Sequence, residues 1–317
     1  MALAKINSGA AIGLEAVPVE VEVDISGGLP NITIVGLPDK AVEEAKERIR
    51  SAIKNSGIVL PSRRIIINLA PADLRKAGPA YDLPMAIGIL LASEQIRLSN
   101  KAYFYGELAL DGDLRPIHGS ILYATLAGHK NSPTKTIFIP KANAVEASLI
   151  DGIEVMPVQN LKELVGFLRN EIKITPHPHT EIDPSMLAET YGVDMQDVAG
   201  QEHAKRALEI AAAGRHHILM SGPPGSGKTM LAKAFTTILP PLSTTEMLEV
   251  TKIYSISGML SEGSHLVLNR PFRKPHHTAS AIAITGGGNW PKPGEISLAH
   301  HGVLFLDELP EFPRNVL

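Results

Sequence analysis

The eight residues Gly222-Pro223-Pro224-Gly225-Ser226-Gly227-Lys228-Thr229 constrain this chain more than any other feature in it. They fill every position of G-x-x-x-x-G-K-[ST], a pattern in which a glycine-rich turn joins a strand to a helix. The flanks agree: His217–Met220 reads as an apolar strand, and Met230–Ile238 is compatible with a helix. Such a turn points successive backbone N–H groups around a phosphate, and the helix N-terminus behind it adds positive potential. On that reading Lys228 contacts the β- and γ-phosphates, and Thr229 places its hydroxyl on Mg²⁺. The competing reading, an ordinary strand–helix loop, requires all the motif positions to match by coincidence.

A second element is expected beside the first. Gly302-Val303-Leu304-Phe305-Leu306 is an apolar run ending in Asp307-Glu308. Asp307 is placed to hold Mg²⁺ directly or through water, and Glu308 to orient and deprotonate an attacking water. Acids at a strand end are weak evidence alone, because caps and turns also attract them. Paired with the phosphate loop, they describe a Mg²⁺-dependent site that binds and hydrolyses a nucleoside triphosphate such as ATP.

Composition sets the frame. At ~150 residues per domain, 317 residues suggest two domains. No uncharged apolar run reaches the ~18–20 residues that span a bilayer, and Met1–Leu14 lacks a basic-then-apolar signal pattern, so a cytoplasmic protein is expected. The absence of cysteine excludes disulfides, thiolate metal sites and a Cys nucleophile. A net charge of −3 gives no general pull toward nucleic acid, and 4% aromatics argue against a base-stacking platform. Any DNA contact must come from a local patch or from several subunits together.

Residues 1–172 read as one mixed α and β domain. Val19–Ile25 alternates apolar and acidic residues, the period of a half-exposed strand, and Asn31–Val35 follows as another. Asp39 is a plausible N-cap for a helix through Lys54, closed by Gly57. Arg64–Leu69 reads as a buried strand, Asp82–Ile96 as an apolar helix, and Tyr103–Ile117 as a hairpin turning at Asp111-Gly112-Asp113. A helix at Ser120–Gly128, a strand at Thr136–Ile139 and a helix at Leu161–Asn170 complete it. Residues 173–190, with the Pro-broken stretch Thr175–Thr180, read as a linker to a second domain over 191–317, whose first helix runs from Glu202 to Ala213.

Asp197-Val-Ala-Gly-Gln201, the Gly222–Thr229 loop and Leu306-Asp-Glu-Leu-Pro-Glu-Phe312 resemble an AAA+ module of the magnesium-chelatase-like clade. Arg270–Ser280 (RPFRKPHHTAS) and Gly286–Gly302 (GGGNWPKPGEISLAHHG) resemble its ComM/YifB branch closely. The resemblance spans essentially the whole chain. It implies a hexameric, ATP-driven motor acting on DNA during natural transformation. It also implies an α/β chain in which a Lon-protease-like, ribosomal-S5-type domain precedes a doubly wound P-loop domain. Gly106–Pro116 and Thr136–Pro140 carry the Lon pattern, but the dyad does not survive. Gly78-Pro79-Ala80 stands where Lon has Gly-Pro-Ser, and Ser120-Ile121-Leu122-Tyr123 falls where Lon carries lysines. Without nucleophile or base, Ser–Lys acyl chemistry cannot run, and a scaffold role is expected. Nine residues follow Glu308, so the sensor, arginine finger and lid implied by the resemblance fall outside the sequence. As given, the chain is expected to bind nucleotide and to hydrolyse it poorly alone.

Three further groups invite a reading. Arg270, Arg273, Lys274 and Lys292 lie in a stretch without an acid up to Gly294; they face DNA phosphates in a ring pore, or they pair with acids elsewhere. His216-His217, His276-His277 and His300-His301 are adjacent pairs, which on a strand point to opposite faces, so no dedicated metal site is expected from them. Lys46, Arg48, Arg50, Lys54, Arg63 and Arg64 make a basic helix and adjoining segment, which fits a partner surface or a solvated face. The leading expectation is a DNA-remodelling ATPase. A chelatase-type protein remodeller and a non-enzymatic, nucleotide-ordered binding module are the alternatives.

Overall fold

The computed structural model describes residues 3–182, 192–260, 263–288 and 291–317. The chain divides into two compact units, Met1–Glu181 and Ile182–Leu317. Among the described residues no helix is long and apolar enough to cross a membrane.

The first unit is a mixed sheet with helices packed on it. Its strands begin with β1 (Ala4–Ile12), β2 (Glu15–Ser26), β3 (Asn31–Val35), β4 (Arg64–Ala70) and β5 (Tyr103–Phe104). A separate hairpin of β6 (Glu107–Leu108) and β7 (Leu114–Arg115) follows, and β8 (Thr136–Pro140) and β9 (Glu154–Val158) complete the main sheet. The order is β3-β4-β2-β1-β5-β8-β9; β1–β2 and β2–β4 are antiparallel and the remaining neighbours parallel. The alternation in β2 is realised as read. Val19, Val21, Val23 and Ile25 are buried, and Glu20, Glu22 and Asp24 are only partly covered on the opposite face.

The helices are α1 (Lys40–Asn55), α2 (Asp82–Ala92), α3 (Ser120–Gly128), α4 (Ala144–Ala147) and α5 (Leu161–Leu168). Asp39 caps α1 by accepting the Val42 N–H at 2.8 Å. Val42, Ala45, Ile49, Ala52 and Ile53, spaced by three and four, form its buried face. Each large aliphatic among them contributes roughly 1.5–3 kcal/mol on burial. α2 is shorter than its apolar run suggests. Glu94 takes a left-handed φ of 59°, and the Gln95 N–H turns back to the Leu90 carbonyl at 3.0 Å, so the helix ends before Ile96.

Two further expectations change in this unit. Arg48 is not part of a solvated basic face. Its guanidinium turns inward and grips the fully buried Asp82 carboxylate from α2, with Nε at 2.7 Å and Nη2 at 2.9 Å. The Leu108 N–H adds a third bond to Asp82 at 3.1 Å. Burial pushes the Asp82 carboxyl up to about 6, against the pull of Arg48. The expected linker also begins later than its prolines suggest. Ile174 is buried, the His177 N–H donates to the Val155 carbonyl at 2.8 Å, and the Thr180 N–H donates to the Ser148 carbonyl at 3.1 Å. Residues 173–180 are therefore docked on the first unit, while 183–190 lie outside the described residues.

The second unit contains α6 (Glu202–Gly214), α7 (Lys228–Ala234), α8 (Thr244–Ile256), β10 (Phe272–Arg273), α9 (Ala281–Thr285), α10 (Glu295–Leu298) and β11 (Val303–Leu304). Its core gathers Val198, Leu208, Ala211, Leu231, Ala234 and Phe235. The strand expected at His217–Met220 is not part of a ladder. No neighbouring strand among the described residues pairs with it, and Leu219 is 83% exposed. Among the described residues the unit's sheet is the β10–β11 pair, which is parallel.

Candidate nucleotide site

The glycine-rich turn runs directly into α7, whose first residue is Lys228. Gly225 and Gly227 hold φ of 78° and 84°. An added Cβ at Gly225 would meet nothing within 4 Å, so it is the left-handed backbone, and not crowding, that calls for glycine there. Lys228 closes the turn on itself. Its ammonium donates to the Gly222 and Pro223 carbonyls, each at 2.9 Å, and lies 3.4 Å from Ser226 Oγ. The cation thus waits at the mouth of the loop, held by exposed groups that a phosphate can replace.

The acidic pair arrives by a different route. β10 and β11 pair in register Phe272↔Val303 and Arg273↔Leu304. The Val303 N–H donates to the Pro271 carbonyl and the Phe305 N–H to the Arg273 carbonyl, both at 2.8 Å. Gly302 allows this approach, because any Cβ there would collide with the Pro271 carbonyl oxygen. Phe272 and Phe305 then stack with centroids 6.0 Å apart. The outcome is that Thr229 Oγ1 donates to Asp307 Oδ2 at 3.2 Å, across 78 residues of chain.

Two hard oxygens at this spacing suit Mg²⁺, whose octahedral edge is about 2.9 Å for Mg–O bonds of about 2.0–2.1 Å. The carboxylate already attracts a cation. Lys274 Nζ lies 2.9 Å from Asp307 Oδ2 and 5.6 Å above the Phe305 ring. The Lys274 ammonium, helped by the Thr229 hydroxyl, holds the Asp307 carboxyl below its ordinary range. Glu308 is exposed, has a left-handed φ of 56°, and its Oε2 lies 3.6 Å from His277 Nδ1. The residues present therefore fit a magnesium-bound triphosphate: Lys228 for phosphate, Thr229 and Asp307 for the metal, Glu308 beside them.

The four basic residues read as DNA-facing are placed very differently from one another. Arg270 is buried. Its guanidinium donates to the carbonyls of Pro240, Pro241 and His301 and pairs with Glu246 at 3.4 Å. It is thereby committed to holding the chain before α8 against the approach to β11. Arg273 forms a two-pronged pair with Glu295, at 2.6 and 2.8 Å. Lys274 pairs with Asp307, a placement not legible in the sequence because the two lie 33 positions apart. Lys292 is exposed beside the Gly287 backbone, with which it exchanges two hydrogen bonds. Asn289 and Trp290, within the motif that carries the resemblance, lie outside the described residues.

In the first unit, the places of a Ser–Lys dyad are filled by core. Ala80 packs in one cluster with Tyr105, Tyr123 and Ala124, and Ile121 and Leu122 are buried. Tyr81 Oη, Tyr105 Oη and Ser120 Oγ are buried without a hydrogen-bond partner among the described residues, and burial pushes the Tyr123 hydroxyl up to about 12.

Comparison with known proteins agrees with both halves. The family model "Magnesium chelatase, subunit ChlI" matches residues 194–317, and "Subunit ChlI of Mg-chelatase" matches residues 21–143. The chain is 48% identical to the uncharacterized protein YifB of Salmonella typhimurium over 319 residues, and 48% identical to competence protein ComM of Haemophilus influenzae over 323 residues. Each alignment takes in 100% of this chain and 62% of the relative, so the chain spans less than two thirds of their length. Lon protease 2 of Bacillus subtilis is 29% identical over 192 residues, covering 56% of this chain and 32% of that protein. The fold is α/β, a Lon-like first domain followed by a P-loop AAA+ domain. With the phosphate loop, the Thr229–Asp307 contact and similarity along the whole of this chain, it belongs to the ComM/YifB group of the magnesium-chelatase-like AAA+ family.

Proposed function

We propose that this chain is the nucleotide-binding part of an ATP-driven ring motor, a homo-oligomer and by family likeness a hexamer, that remodels branched DNA. The observation that carries the nucleotide half is the 3.2 Å contact between Thr229 and Asp307 beside the Lys228 loop. Lys228 and the loop N–H groups hold the triphosphate, Thr229 and Asp307 hold Mg²⁺, and Glu308 orients and deprotonates the attacking water. When bound, Mg²⁺ neutralises charge building on the β- and γ-phosphate oxygens. Lys274 pairs with the Asp307 carboxylate at the oxygen where the more highly charged cation would bind.

The DNA half rests on likeness to a competence protein and on exposed charge. With Arg270 and Arg273 committed to internal partners, Lys292 is the residue of the four left facing solvent without an ion pair in the contacts above. Repetition around a ring would multiply its modest charge. The expected result is nucleotide-dependent binding of a fluorescent branched oligonucleotide that weakens steeply between about 50 and about 200 mM salt. Lys292→Glu should weaken it evenly across sequences and flatten the salt slope by about one contact per site. A second reading, remodelling of a protein partner in the manner of the chelatase subunit, is favoured by the internal pairing of Arg270 and Arg273. Absence of DNA binding at low salt would decide for it.

A further inference from the structure

A group of three potential metal ligands lies where α8 meets the turn before β11. His300 and His301 are not on a strand. His301 takes a left-handed φ of 55°, which swings both imidazoles to the same side, their centroids 4.0 Å apart. This overturns the expectation that adjacent histidines diverge. Glu249, on α8, completes a group of three whose ligating atoms all lie within 4.8 Å of one another. His301 Nε2 is 2.6 Å and His300 Nε2 3.4 Å from Glu249 Oε2.

The surrounding chain fixes this arrangement. α8 starts with a reciprocal cap, Ser243 Oγ accepting the Glu246 N–H and Glu246 Oε2 accepting the Ser243 N–H. Glu246 also pairs with Arg270 and lies 3.4 Å from His301 Nδ1. Arg270 in turn donates to the His301 carbonyl. The turn and the helix are therefore locked together before any ion arrives, and Glu249, flanked by two imidazoles, is held below the usual carboxylate range.

We infer that Glu249, His300 and His301 form a binding site for a zinc-class divalent metal ion, with water in the fourth position. Two imidazoles and one carboxylate select borderline transition ions over Mg²⁺ and Ca²⁺, which prefer all-oxygen ligands. With Zn–N and Zn–O bonds of about 2.0–2.2 Å, tetrahedral ligand edges are about 3.3 Å. The 3.4 Å edge already matches, and the 2.6 Å edge opens when the metal takes the lone pair of His301 Nε2, the neutral ring then carrying its one proton on Nδ1, 3.4 Å from Glu246. The ligands are partly open to solvent, with side-chain exposures of 46%, 21% and 48% for His300, His301 and Glu249, so an ion can enter. Bound there, it clamps α8 to the segment leading into β11, six positions before Asp307, without touching the phosphate loop.

The test is calorimetric titration of the chelator-treated chain with Zn²⁺ alone, with Co²⁺ absorption as a report of coordination geometry. One ion per chain is expected, with a tetrahedral Co²⁺ spectrum and a raised melting temperature. Glu249→Gln and His300→Asn, both conservative in size, should each weaken Zn²⁺ by at least about tenfold, a scale reached even by losing an outer-shell partner. His217→Ala, in another histidine pair, and Asp307→Asn should leave it unchanged. Failure to bind Zn²⁺, or parent-chain affinity retained in Glu249→Gln and in His300→Asn, would overturn the assignment, and neither outcome depends on nucleotide.

Discussion

Replacing Lys228 by alanine is expected to weaken Mg·ATP binding by about 100-fold or more while the chain keeps its fold. The magnitude follows from the loss of at least two charge-assisted hydrogen bonds to phosphate, each contributing about 1.5–3 kcal/mol. The fold survives because the ammonium's partners in this structure, the Gly222 and Pro223 carbonyls, are exposed and readily rehydrated. Calorimetric titration with Mg·ATP, beside a thermal melt, checks both halves. Binding at wild-type affinity would remove the phosphate-cradling role from the loop. A collapsed melt would mean that Lys228 holds the turn together instead.

The largest expected loss of stability lies in the other unit. Arg48→Ala strands the fully buried Asp82 carboxylate without its counter-ion, which costs about 3–5 kcal/mol when one partner of a buried pair is removed. Its pH signature is specific. Asp82 sits at about 6 even with Arg48 in place, and removing the guanidinium pushes the carboxyl higher still. A carboxyl raised above its unfolded value folds without penalty below that unfolded value, and loses stability as pH rises toward its folded one. The variant's deficit relative to the parent chain is therefore larger at pH 7 than at pH 5. Denaturant unfolding followed by circular dichroism at both pH values measures this. A pH-independent loss below ~1 kcal/mol, as for an exposed pair, would contradict it.

What the sequence disclosed was local. The period of Val19–Ile25, the cap at Asp39 and the loop at Gly222–Thr229 are each set by neighbours within a turn or two, and each is found where the residues place it. What escaped depends on partners far along the chain. Arg48 looks like one more charge on a basic helix until Asp82, 34 positions away, captures it. Lys274 belongs to a run without acids until the parallel pairing of β10 and β11 delivers Asp307. The prolines at Pro176 and Pro178 suggest a free linker, yet the His177 N–H finds an acceptor on β9 and the Thr180 N–H one after α4. His217–Met220 has the composition of a strand, and composition cannot supply the neighbour that a ladder needs.

One metal-binding centre is expected to join Thr229 to Asp307 beside the phosphate loop. ATP binding measured with and without Mg²⁺, in the parent chain and in Asp307→Asn, checks this. Mg²⁺ is expected to tighten ATP binding to the parent chain, and Asp307→Asn to lose this enhancement while still binding ATP through Lys228. Equal enhancement by Mg²⁺ in both proteins would contradict it.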